Sequence, residues 1–440
     1  MKSIKNTLEP IGETIYGYLA DEEDARSCDD LDESACRETP LSFFLILLSS
    51  LLTKLGDELS SPKTTLAWAA TVVGAPAFVI GYLVPLRESG SMVPQLFIGA
   101  YVRRMAIRKW AWVAGSLVQF LAVCGMGLVV LTLQGAAAGW ALLGLVALFA
   151  LARGFCSVAA KDVMGKTIPR SRRGRLTGWS ASLAGLIAIG VGVTLMLPGA
   201  GNGPKLLLGI LLTLAGCLWL LAALFYSVIP EQPGETGGAR SAVEAFGRLG
   251  LLVTDRAFRR FVLTRALLMC SALSAPFYVA LAQQASGSPA WLLGGFVLAG
   301  GLANLISGPL WGHYADRSSR AVMIMAALFT SGIGLITAAA AVTLPGLMSS
   351  AWFLPLAFFV LSAAHSGVRV GRKTYVVNLA GGNRRTDYVA ISNSVIGVLL
   401  LLVGSIGLLV PLIGYAGVIA LLALMGLAGA LLGATLPEAE

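Results

Sequence analysis

Twelve apolar runs, each about 20 residues long, follow one another between Leu41 and Leu436, and runs of that length cross the hydrocarbon core of a bilayer as α-helices. About 22 Lys and Arg residues fall in every second connection between them, whereas only Lys63 and Lys205 fall in the others. This asymmetry is typical of helical membrane proteins that keep their basic loops in the cytoplasm. We therefore expect an all-α, multi-pass integral protein of the plasma (inner) membrane with both termini cytoplasmic.

Composition excludes an ordinary soluble domain, because hydrophobic residues make up 56% and charged residues 12% of the chain and the mean hydropathy is +0.79. The net charge of +9 comes largely from loop residues beside helix ends. Such residues meet anionic headgroups, so the expected contacts are membrane lipids and not nucleic acid. The six cysteines show no metal-ligand spacing, and we expect them to be reduced.

The first two spans can be divided in two ways. One division makes 64–86 the first span and leaves Arg87 and Glu88 in an outer loop. The other makes 41–66 the first span and 75–102 the second. We favour the second division, because the first leaves a second span that is too short and holds two arginines. The other spans are expected at 110–133, 137–159, 176–197, 206–228, 261–285, 291–311, 321–344, 352–371, 388–410 and 412–436.

The runs fall into two halves that repeat. We expect an acidic cytoplasmic tail at 1–39, a six-helix bundle at 40–229, a cytoplasmic central loop at 230–259 and a second six-helix bundle at 260–440. The loop after the second span begins with Gly99-Ala-Tyr-Val-Arg103, and the loop after the eighth begins with Gly312-His-Tyr-Ala-Asp316. Similar loops at the same place in both halves indicate a duplicated unit.

With these loops and twelve spans, the chain resembles the major facilitator superfamily. The family signature has a glycine, then an acid, then a basic residue, and Arg103 stands at the acid position of the first copy. The resemblance implies two pseudo-symmetric six-helix bundles around a central cavity. The gating residues that it implies are Gly99, Arg104, Gly312, Asp316 and Arg317.

Charged side chains near the bilayer centre are costly, so each of them is a functional candidate. The first span carries Lys54, Asp57 and Glu58, spaced so that the lysine can pair locally with either acid. The second carries Arg87 and Glu88. Counted from the span ends at 1.5 Å per residue, both clusters reach middle depth. These charges either form an ion-pair network between the two helices or bind substrate and protons.

Other polar residues extend this set. Arg265 is close enough to the inner surface to reach water with its guanidinium, so we expect it to snorkel. The further candidates for substrate or proton binding are Ser91, Gln95, Arg153, Asn304, His365 and Arg369. Because the signs of the charges are mixed, the substrate's charge is not assigned.

The chain carries no catalytic constellation, metal cluster or phosphate-binding loop, so we expect no enzyme, no metal and no cofactor. The expected function is secondary active transport of a small solute by alternating access, with protons as the coupling ion and the monomer as the working unit. The alternative is a non-transporting membrane sensor, or an assembly or delivery factor, with the same fold.

Overall fold

The fold consists of helices joined by short turns. The computed structural model describes residues 2–20, 33–197, 203–234, 236, 250–315, 317–380 and 385–438, and within them all regular elements are helical. Ten stretches are long and apolar enough to cross a membrane. One of them, Tyr388–Ala434, holds two spans, and a further span is divided by a break into two shorter helices. The predicted twelve-span architecture is confirmed.

The first six spans form one bundle. Span 1 comprises Thr39–Leu59 and Thr65–Val72, span 2 Ala77–Met92 and Gln95–Val102, span 3 Lys109–Thr132, span 4 Gly135–Thr167, span 5 Arg170–Met196 and span 6 Pro204–Ser227. Arg87 and Glu88 therefore lie inside a helix of span 2, as the favoured division predicts.

The last six spans form the second bundle. Span 7 comprises Arg256–Leu267, Cys270–Leu273 and Ala275–Ser286, span 8 Ala290–Ala315, span 9 Ser319–Thr343, span 10 Phe353–Ala380, span 11 Arg385–Gly404 with the 3-10 turn Ser405–Leu409, and span 12 Val410–Ala434. Gly414, with φ +70°, kinks the last of these helices. The helices outside the spans are Lys2–Ala20 and the shorter Glu33–Arg37, Leu251–Thr254 and Pro345–Met348.

Span 1 is interrupted in the middle, which the sequence pattern did not predict. Pro62 lacks an N–H and restricts the residue before it, so the helix stops at Leu59 and resumes at Thr65. The prediction that the span ends near residue 66, with Lys63 in an outer loop, is wrong. Lys63 lies within the break, and the helix beyond it continues to Val72.

The N-terminal segment is more structured than a solvated tail. Lys2–Ala20 is a helix that packs on span 1, and the Tyr16 ring meets Phe43 edge-on with centroids 5.3 Å apart. Its apolar side chains join the core of the first bundle. Cys36 is disulfide-bonded, so the expectation that all six cysteines are reduced is wrong at this position.

The two bundles meet at one end and separate at the other. We call the end with the loop 103–108 the basic end, and the end with the turn at Gly74 the opposite end. One core cluster joins both bundles, whereas the clusters nearer the basic end each belong to a single bundle. A Cβ on Gly81 would lie 2.7 Å from the Gly404 oxygen of the other bundle. The bundles are therefore closed together at the opposite end and part toward the basic end.

Candidate functional site

A polar cavity of about 220 Å³ lies between the bundles at the level of the break in span 1. Spans 1, 2 and 4 line it from one bundle, and spans 8 and 10 line it from the other. It gathers nine of the predicted candidates, namely Asp57, Glu58, Arg87, Glu88, Ser91, Arg153, Asn304, His365 and Arg369. Residues far apart in sequence thus form one compartment at middle depth.

Asp57 is held by two arginines from neighbouring spans. Its Oδ1 accepts hydrogen bonds from Arg87 Nη2 at 2.5 Å and from Arg153 Nη1 at 2.6 Å. The guanidinium of Arg87 also stacks on Phe149, 3.6 Å from the ring centroid. These contacts form a charged network that ties spans 1, 2 and 4 together.

Lys54 does not bond to the acids on its own helix. Its Nζ donates to the Thr177 carbonyl oxygen at 3.0 Å and to Ser180 Oγ at 2.6 Å, both on span 5. The predicted local ion pair with Asp57 or Glu58 is therefore wrong, because span 5 offers closer acceptors. Lys54 lines a second cavity, of about 270 Å³, inside the first bundle.

Glu58 reaches from the first bundle to the second. Its Oε2 accepts a hydrogen bond of 3.1 Å from Asn304 Nδ2 on span 8. The approach is close, since a Cβ on Gly300 would lie 2.9 Å from Glu58 Oε1. Any rotation of one bundle against the other would change this contact.

Glu88, Ser91 and Gln95 are spaced so that a regular helix would place them along one stripe of span 2, and the structure brings the first two to the cavity. Glu88 and Ser91 line it, and the Ser91 hydroxyl donates to the Glu88 backbone carbonyl at 2.9 Å. Gln95 is not among the lining residues. It begins a new helix after the break at Pro94, so the helical spacing that placed it on the stripe does not continue through.

Span 10 provides the far wall. His365 Nδ1 lies 3.0 Å from Ser271 Oγ on span 7, and the exposed Arg369 lines the cavity one helical turn further on. Arg265 of span 7 does not snorkel as expected. It is 6% exposed and donates to Ser392 Oγ at 2.6 Å.

Lys63 is a charged residue of the cavity that the sequence analysis did not include among its candidates. It stands in the break of span 1 and lines the cavity together with Pro62. A signal was present in the sequence, because a proline inside a long apolar run predicts a helix interruption. Non-helical backbone at membrane depth is tolerated where it lines a cavity.

The predicted gating residues lie at the basic end. Arg104 and Arg317 are exposed, and Cβ atoms built on Gly99 and Gly312 would meet no atom within 4 Å. Asp316 lies outside the described residues. The structure therefore places the four described residues, Gly99, Arg104, Gly312 and Arg317, near the ends of spans 2 and 8, and none of them lines the cavity.

A buried acid after span 6 holds the loop that precedes span 3. The Glu231 side chain, 0% exposed, accepts hydrogen bonds from the backbone N–H groups of Arg108 at 3.0 Å and Lys109 at 2.6 Å. Lys166 Nζ donates to it at 3.0 Å. A carboxylate at a helix N-terminus satisfies otherwise unpaired N–H groups and complements the helix dipole.

The second bundle has an acid at the corresponding place, but this acid is half exposed and pairs with a side chain instead of backbone N–H groups. Arg320, at the start of span 9, donates to the Leu436 carbonyl oxygen at 2.6 Å and pairs with Glu438. Pro230-Glu231 and Pro437-Glu438 thus follow the last span of each half. Sequence reasoning missed both acids, although the repeated Pro-Glu pair was a visible signal.

Comparisons with known proteins agree with this architecture. A crystal structure of a D-xylose-proton symporter matches with a TM-score of 0.68 and 15% identity, covering 90% of this chain and 98% of that one. The inward-open xylose transporter XylE from E. coli matches with a TM-score of 0.67 and 15% identity, covering 90% and 97%. The nucleoside transporter NupG matches with a TM-score of 0.63 and 12% identity, covering 90% and 98%.

At these identities the structural likeness shows the fold alone. A comparison with curated proteins finds no match. The family model described as Major Facilitator Superfamily matches residues 40–393, which is more than half of the chain. The chain belongs to the major facilitator superfamily.

Proposed function

We propose that this protein is a proton-coupled secondary transporter that moves a small solute by alternating access. The observation that carries the proposal is the polar cavity between two bundles that are closed at one end and parted at the other. Rocking the bundles around a site at middle depth would expose that site to each side in turn. The D-xylose-proton symporter among the structural neighbours supports solute and proton as the cargo.

An acid that couples proton movement to solute movement needs surroundings that change with the conformation of the protein. Asp57 is bonded to two guanidiniums from its own bundle, so movement between the bundles need not change these contacts. Glu58 instead accepts its hydrogen bond from the other bundle. Movement between bundles would alter its proton affinity, and a group that gains and loses a proton during the cycle must behave in this way.

Glu88 is the second candidate for the coupling role. Its side chain lines the same cavity beside Arg87, so it lies on the solute's path. We propose Glu58 and Glu88 as the proton carriers and Asp57 as a positioning residue.

We also propose a monomer in the inner membrane, with the basic end facing the cytoplasm as the distribution of Lys and Arg predicts.

The test is solute uptake into liposomes that contain the purified protein, with and without a pH gradient. Glu58→Gln and Glu88→Gln each mimic a permanently protonated acid. Replacing the true carrier should leave exchange of solute intact but abolish accumulation driven by the pH gradient. Glu13→Gln, which neutralises an exposed acid on the N-terminal helix, serves as the control for loss of one negative charge outside the cavity.

The outcomes separate three cases. If both variants still accumulate solute with the pH gradient, neither acid is the carrier. If only one variant loses accumulation, the carrier is assigned. If the wild-type protein moves no solute in either direction, the transport proposal fails and the sensor or assembly-factor alternative is favoured.

A further inference from the structure

We infer that the solute is a small organic anion, bearing a carboxylate or a phosphate, which is held between Lys63 of span 1 and Arg369 of span 10. This inference rests on the proposed transport function and names its substrate class. The two side chains line one cavity from opposite bundles. An anion placed there would contact both halves of the protein at once.

The charges that line the cavity are not balanced. Three acids line it, Asp57, Glu58 and Glu88, together with four basic side chains, Lys63, Arg87, Arg153 and Arg369. Asp57 forms ion pairs with two of these bases, Arg87 and Arg153, with N–O distances of 2.5 and 2.6 Å. The lysine and the remaining arginine are left facing the open volume, with Glu58 bonded to an amide.

Lys63 and Arg369 have the character of ligand-binding cations. In the part of the chain that the structure describes, neither side chain lies within the 4.0 Å of a carboxylate that would make an ion pair. Arg369 is exposed to the cavity. The positive charges of Lys63 and Arg369 repel each other. An anion placed between them would relieve this repulsion between the bundles.

Further cations extend the positive field toward the basic end. Arg372 and Lys373 follow Arg369 by about one helical turn of span 10, and the charge of Arg369 acts on both. Arg265 of span 7 lies within electrostatic reach of Arg372. These cations lie nearer the basic end than Arg369, so they would attract an anion that enters the cavity from that end.

The remaining acids fit this assignment. The field of Glu88 reaches Lys63, Arg372 and Lys373, so Glu88 offsets part of the positive charge while the cavity is empty. A proton on Glu88 or Glu58 would raise the positive excess and strengthen anion binding. Proton and anion would then bind together with little net change in charge, which is the requirement of anion–proton symport.

Guanidinium and ammonium groups suit a carboxylate or phosphate. The planar guanidinium of Arg369 can bind either group through two parallel hydrogen bonds, and Lys63 adds a point charge. A hydrogen bond to a charged group contributes enough that its loss should weaken binding about ten- to a hundred-fold. Neutral sugars and nucleosides would leave both cations without a partner.

The test measures uptake into proteoliposomes of six probes: inorganic phosphate, glucose 6-phosphate, succinate, D-gluconate, D-xylose and uridine. The variants are Lys63→Gln and Arg369→Gln, with Lys63→Arg as the conservative variant. Arg256→Gln, which removes an exposed charge at the start of span 7, is the matched control. Thermal unfolding of each purified variant shows whether it is folded.

Support requires that at least one anion is taken up, that Lys63→Gln and Arg369→Gln weaken its apparent affinity about ten- to a hundred-fold, and that Lys63→Arg and Arg256→Gln retain it. The phosphate and carboxylate probes then decide between the two anion types. Uptake of D-xylose or uridine that is unaffected by Lys63→Gln would overturn the anion assignment while transport stands. Uptake of no probe by the folded wild-type protein would count against transport itself, and the anion assignment would fall with it.

Discussion

Replacing Asp57 with asparagine should destabilise the first bundle more than replacing Asp57 and Arg87 together. Asp57→Asn keeps the shape of the side chain but removes the charge that compensates two arginines. The Arg87 side chain is 9% exposed, so its charge remains in a poorly solvated site. The double variant Asp57→Asn/Arg87→Gln removes that uncompensated charge as well.

The magnitude follows from the exposure of the two arginines. Loss of one partner from a buried ion pair costs about 3–5 kcal/mol, mostly through the charge left behind. The Arg153 side chain is 39% exposed, so water screens it and its share is about 1 kcal/mol or less. Because asparagine still accepts a hydrogen bond, we expect Asp57→Asn to reduce the free energy of unfolding by about 3 kcal/mol.

The assay is thermal or denaturant unfolding of purified protein, followed by tryptophan fluorescence. At roughly 2 °C per kcal/mol for a large chain, Asp57→Asn should lower the Tm by about 6 °C, and the double variant should recover part of this loss. Glu13→Gln, an exposed acid on the N-terminal helix, controls for loss of one negative charge. A double variant that is as unstable as the sum of its two single variants would refute the reasoning.

Two further predictions concern the two ends of the bundle. Glu231→Ala removes a buried acceptor and leaves the backbone N–H groups of Arg108 and Lys109 without their partner, so it should cost about 3 kcal/mol of unfolding free energy. Glu13→Ala, the control, should change stability by less than about 0.5 kcal/mol, and equal effects of the two variants would contradict a stabilising role of Glu231. Gly81→Val should hinder closure of the opposite end, because the new side chain would meet backbone of the other bundle, so a cysteine placed at Ser61 should react faster with an impermeant reagent from that side. Gly144→Val, where a Cβ meets no atom within 4 Å, is the control, and unchanged labelling in Gly81→Val would contradict the closed contact.

The candidate site was predicted in part. The depth of a residue along a helix follows from counting positions, so the amino-acid sequence alone places the cluster of charges in spans 1 and 2 near the middle of the bundle. It does not identify the partners of those charges. Asp57 bonds to Arg153, which lies on span 4, and Glu58 bonds to Asn304 on span 8. These choices depend on which helix faces which, and that information is distributed over all the packing surfaces.

The sequence by itself determined the class of the protein, because a bilayer accepts only segments of spanning length with internally satisfied backbone groups. The same constraint set the number of spans, their approximate bounds and the division into two repeated halves. Only the tertiary structure decided that Lys63 stands in a cavity and not in a loop. The physical reason is that a proline break leaves the chain free to continue in several directions. Packing of the helix after the break against spans 2, 6 and 7 selects one of them, and in that direction Lys63 lines the cavity.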